Sequence, residues 1–181
     1  LYPVAGGPSS HLPGHNGSYK RDILLAYDDR LEAMIEAETL LHWDLRARGH
    51  ELYLEPAART AHMNFSDPRT SIALRFHSGR LFAACRARSW PLSRRAFYAA
   101  AAPLIPLVRL GRAVRDLLRP GRPRRLLPRV FLPLAAALAV DGFGEMVGYV
   151  SGRGNAMDAV TDMEFDRGRH LNARDRRAIG L

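Results

Sequence analysis

A run of 11 apolar residues, Val130 to Val140, constrains this chain more than any other feature. Charge hems it in: Arg129 precedes it, and Asp141 and Glu145 follow. A simple membrane span needs about 20 apolar residues, and a carboxylate near the bilayer centre is costly. The run therefore fits a helix lying in a membrane interface, or one packed on a partner, better than a spanning helix. A buried hairpin of core helices is the plain alternative.

The charge around this run is lopsided. Residues 1–70 hold 7 basic and 10 acidic side chains, whereas residues 71–181 hold 20 basic and 8 acidic. Between Arg75 and Arg129 there are 14 arginines and one acid, Asp116. Arginines interleaved with Leu, Val, Ile and Phe suit anionic lipid head groups, each basic contact contributing about 1 kcal/mol. Nucleic acid is not expected as a partner, because the aromatic residues form no stacking platform and no binding module is recognisable. The single cysteine, Cys85, excludes an internal disulfide and any Cys-based zinc site. The chain starts at Leu1 with no signal pattern, and reads as a fragment or processed piece of something longer.

Along the chain, residues 1–17 are rich in Gly, Pro, Ser and His and read as loop. Ser18 is placed to cap a short helix running to about Tyr27. Asp29 with Glu32 makes a capping box for a second helix, with Leu31, Ile35, Leu41 and Leu45 as its stripe and Gly49 as its stop. "ELYLEP" (51–56) reads as a short strand and "ARTAHM" (58–63) as a second one. Asp67 or Ser66, with Pro68 in the first turn, opens a helix that runs to about Ser89.

The residues with chemical potential are ordered. The stretch "PGHNGSYKR" (13–21) carries Gly14, His15, Asn16, Gly17, Ser18, Lys20 and Arg21; Glu38, Leu41, Leu45 and Gly49 come next, and Pro56, Ala57 and His62 follow. This order resembles the C-terminal half of family-2 inverting glycosyltransferases of the GT-A fold. The resemblance covers about residues 1–90, and "GEMVGYVSGRG" (144–154) looks like the C-terminal segments of some bacterial members. One departure is clear. The family's usual Glu-Asp pair reads Ala37-Glu38, so one carboxylate remains and the acid before it is lost.

The resemblance implies an α/β fold, the C-terminal half of a GT-A (Rossmann-like) domain with a mostly α-helical C-terminal extension. Residues 1–66 would form the acceptor-side part, 67–125 a basic helical region, and 126–181 an apolar membrane-associated segment with a charged tail. The implied activity is transfer of a sugar from a nucleotide-sugar donor to a glycan or lipid-linked acceptor with inversion, as in polysaccharide biosynthesis. Glu38 would be the catalytic base. Gly14, His15, Asn16, Gly17, Ser18, Lys20 and Arg21 would bind substrate, and His62 would be a metal ligand. A divalent cation, Mg²⁺ or Mn²⁺, would be held mostly by a donor-binding half. No Asp-x-Asp motif precedes the loop, so these 181 residues alone are expected not to catalyse. The cytoplasmic face of the membrane would be the address. A noncatalytic membrane-surface or interaction module derived from that fold is the second expectation, favoured by Ala37.

Overall fold

The computed structural model describes residues 6–14, 16–60, 62–119, 121–122 and 124–180. The chain divides into two units, Leu1–Met63 and Asn64–Leu181. The described residues are 68% helix and 4% strand, and among them the strands form only a two-strand sheet. The expected α/β, Rossmann-like architecture is therefore wrong. The reason is local. A parallel sheet covered by helices needs strands that read as near-continuous Val, Ile and Leu. Here the short stretch "LYL" forms one strand, while 58–63, with Arg59, Thr60 and His62, is not strand at its described positions.

In the first unit, β1 (Gly7–Ser9) pairs antiparallel with β2 (Leu52–Leu54), Pro8 opposite Tyr53. Between them come α1 (Arg21–Leu25), a 3₁₀ turn at Asp28–Arg30, α2 (Leu31–Ile35) and α3 (Glu38–Ala47). Lys20, not Ser18, occupies the cap position of α1, and no side chain caps it. The helix expected over 30–48 is broken. Ala37 leaves the helical region (φ −135°, ψ 76°), so Glu38 becomes the first residue of a new helix. The core of this unit is Leu12, Tyr27, Leu41, Leu45 and Leu52. Leu41 and Leu45, one turn apart on α3, face it.

In the second unit, α4 (Pro68–Arg86) starts where the sequence places it. Asp67 accepts from the Thr70 amide, and Pro68 sits in the first turn. The Thr70 and Arg69 amides hold the Asp67 carboxyl below its usual range, the Thr70 hydrogen bond contributing most. Helix α5 (Leu92–Ala101) passes through a 3₁₀ turn at Ala102–Leu104 into α6 (Ile105–Leu117). Pro103 and Pro106 lie at that junction, where a missing amide hydrogen breaks the α ladder. Helix α7 (Leu127–Ser151) returns along α4, α5 and α6. Helices α8 (Ala156–Phe165) and α9 (Ala173–Ala178) complete the unit. At the end of α8, Glu164 pairs with Arg167, and Asp166 with Arg169 at 2.6 Å.

Glycine sets the α4–α7 spacing. A Cβ built on Gly144 would run into the carbonyl of Phe76, and one on Gly148 into that of Arg80. From the other side, a Cβ on Gly79 would meet the carbonyl of Asp141. The two backbones touch because side chains are missing on both faces, as in small-xxx-small helix contacts.

Candidate functional site

The break at Ala37 gives the first unit its chemical feature. Glu38 is half-buried at the start of a 10-residue helix. Its carboxylate lies under the turn Pro13–Asn16, closed by an Asn16 N–H to Pro13 carbonyl bond of 3.2 Å. A Cβ on Gly14 would meet Oε2 of Glu38, the free end of that side chain, so the turn and the carboxylate lie in direct contact. Burial pushes the Glu38 carboxyl above its ordinary value. The helix N-terminus acts in the opposite sense, favouring the charged form. The result is a carboxylate stripped of part of its water and resting against the backbone of the turn.

The other expected binding residues fall into different roles. The Asn16 side-chain amide donates to the Ala58 carbonyl at 2.9 Å, tying the turn to the chain beyond β2. Gly17 packs beside Tyr19, whose ring would stand 3.3 Å from an added Cβ. Gly14, Asn16, Gly17, Ser18, Lys20 and Arg21 are all exposed. His15 lies outside the described residues. His62 is exposed beyond β2. Among the described residues, no group of three or more His, Cys, Asp or Glu is arranged to hold a metal ion.

The sequence reading missed a second layer behind Glu38. His42 is fully buried on the core face of α3. Its Nε2 lies 2.8 Å from the Tyr19 hydroxyl and its Nδ1 lies 3.3 Å from Nδ1 of His11. With the Tyr19 hydroxyl donating to Nε2, the imidazole proton belongs on Nδ1, where it faces the His11 ring as acceptor. This chain fastens both ends of the glycine loop to α3. The available signal was spacing: His42 follows Leu41 and precedes Leu45 inside the apolar stripe. On the far side of the helix, the Tyr27 hydroxyl donates to Asp44 at 2.7 Å. Burial first, then that bond, pushes the Tyr27 phenol up to about 12.

Burial, then the facing His11, lowers the His42 pKa below its ordinary 6.5. The unfolded chain binds a proton in this window that the folded chain refuses, so acidification removes stability. Glu38 works the other way. Its folded form keeps a proton that the unfolded form has lost above about 4.5, so its burial costs stability as pH rises. Urea denaturation, followed through Trp43 in a Trp90→Phe background, is expected to give a lower midpoint at pH 5.5 than at pH 7.5. His42→Gln is expected to flatten that difference, whatever it does to the midpoint itself. An unchanged slope in that variant would assign the acid sensitivity elsewhere.

No family model, curated protein or solved structure matches this chain.

Proposed function

We propose that the first unit forms the acceptor side of an inverting sugar transfer, with Glu38 as general base. One observation carries this reading. A single partly desolvated carboxylate sits at a helix start, beneath a glycine turn whose exposed backbone and polar side chains face solvent. An alcohol is a poor nucleophile at neutral pH. A positioned carboxylate that takes its proton in the transition state accelerates attack by roughly 10²–10⁴-fold. In the proposed step the acceptor oxygen bonds to the anomeric carbon as its proton moves to Glu38. The bond from that carbon to the nucleotide phosphate breaks on the opposite face, and the nucleoside diphosphate leaves with the electron pair.

The turn would serve this step by geometry. The exposed backbone around Gly14 and Gly17 would offer amide and carbonyl groups to sugar hydroxyls. Ser18 would offer a hydroxyl for hydrogen bonding, and Lys20 and Arg21 positive charge for a phosphate. Tyr19, His42 and His11 hold the loop in place and are positioning residues. The donor site that this reading requires would come from outside these residues, along with any divalent cation.

The test is a transfer assay on the parent polypeptide with nucleotide-sugar donors and the Glu38→Gln variant. Transfer that collapses while donor binding persists supports the reading. Full-rate transfer by that variant removes Glu38 from the mechanism. Donor binding with no transfer by either form leaves a noncatalytic module, for which the missing acid at Ala37 speaks.

A further inference from the structure

Helix α7 carries two unlike faces. Gly142, Gly144, Glu145 and Gly148 are buried against neighbouring helices. Leu132, Ala136, Ala139, Phe143 and Val150 form an open stripe at helical spacing, with Leu132 74%, Phe143 55% and Val150 68% exposed. Helix α6 and the turn before it add Leu104, Leu107 and Val108, with Leu107 66% exposed. The stripe on α7 runs about 28 Å at 1.5 Å per residue. Single exposed apolar residues need no explanation, but a continuous line of them does.

Charge identifies what covers it. The connection between α6 and α7 carries Arg119, Arg122, Arg124 and Arg125, and Asp116 is the one acid in the stretch from Arg75 to Arg129. A second copy of this unit would bring like charge against like, since residues 64–181 hold 21 basic and 9 acidic side chains. An apolar line edged by guanidinium groups matches acyl chains edged by phosphates. The helices also arrive already paired. Arg109 of α6 bridges Asp141 and Glu145 of α7, its Nη2 lying 2.5 Å from Glu145.

We propose that the open faces of α6 and α7, with the arginines between them, seat this unit in the surface of an anionic lipid bilayer, the helices lying in the plane of the head-group boundary. The helical stretches Leu92–Leu117 and Arg124–Ser151, with mean hydropathy 1.2 and 1.6, are long and apolar enough to cross a membrane by length and composition. Their charges place them flat instead. The uncharged runs Ala96–Val108 and Val130–Val140 are 13 and 11 residues, short of a span. The pairing of Arg109 with Asp141 and Glu145 also sets these runs out of register. Arg112 and Arg115 stay on the exposed side of α6, where a flat helix lets them reach the phosphates. This inference stands apart from the sugar-transfer reading, because membrane seating needs none of the Glu38 site.

Flotation of the 181-residue chain with vesicles of phosphatidylcholine alone, or with 30% phosphatidylglycerol, tests it. Binding is expected to the anionic vesicles and to fall steeply with salt. Each arginine near an anionic surface is worth roughly fivefold in binding. Replacing Arg119, Arg122, Arg124 and Arg125 with glutamine together should therefore weaken binding on the order of 100-fold or more. Those side chains lie outside the packed helices, so the variant retains its fold. Leu107→Asp with Leu132→Asp is expected to abolish binding with an unchanged helical circular dichroism spectrum. Four results would overturn the proposal: no binding to either vesicle, equal binding to both, binding indifferent to both variants, or resistance to extraction at alkaline pH, which marks a span. Dimerisation in place of vesicle binding would assign the face to a second copy and overturn it as well.

Discussion

Glu38→Gln in the parent polypeptide is expected to lower kcat by roughly 10²–10⁴-fold, the usual contribution of a positioned general base. Donor binding should stay within a few-fold, because the amide keeps the shape and position of the carboxylate. The same substitution has a second, opposite consequence. Burial raises the Glu38 pKa, so the ionised carboxylate costs folding free energy at neutral pH. Glutamine removes that cost, and the first unit should be no less stable at pH 7.5 than the parent. Lost activity with kept or raised stability separates a catalytic carboxylate from a structural one. A variant that loses both in parallel would place Glu38 in the scaffold.

The largest stability effect is expected at Gly144. Two terms compete when alanine replaces it. Alanine favours a helix interior over glycine by about 1 kcal/mol. Against this, the new methyl would collide with the Phe76 carbonyl and stand 3.1 Å from the Arg80 amide nitrogen, both backbone atoms of α4. Overpacking of this kind costs typically about 1–3 kcal/mol, and more where the neighbour cannot turn aside. Backbone in the middle of a 19-residue helix cannot. The net expectation is a loss of about 2 kcal/mol and a fall in Tm of roughly 10 °C for a unit of this size. Gly111 on α6 is the control. A Cβ there meets nothing within 4 Å, so Gly111→Ala should be neutral or stabilising by up to about 1 kcal/mol. Equal responses at the two sites, read by thermal denaturation, would show that α4 and α7 are not in backbone contact.

The parts of this fold that were legible in the sequence are those fixed by short-range chemistry. Asp67-Pro68 marks a helix start because an acceptor and a preset φ both serve the first turn. Pro103 and Pro106 sit at the α5–α6 junction, where each removes an amide hydrogen from the ladder. What stayed hidden depends on contacts distant in sequence. Nothing in "EAMIEAETLLHW" announces that Ala37 leaves the helix, since every residue there tolerates one. The break puts Glu38 at a helix start beside the glycine turn. The strand Gly7–Ser9 has no strand-forming composition and exists through its pairing with Leu52–Leu54. The α/β expectation came from the resemblance alone, and the described chain is mostly helical. Of the candidate site, the Gly14 approach to Glu38 is present, whereas the Tyr19–His42–His11 chain behind it spans 31 residues and could not be read from spacing alone.

The most direct measurement is the anomeric configuration of the product made by the parent polypeptide from a nucleotide sugar, read by proton NMR, with Glu38→Gln run beside it. The account predicts an inverted linkage that the variant forms at least 100-fold more slowly. A retained configuration, or an undiminished rate from Glu38→Gln, would contradict it.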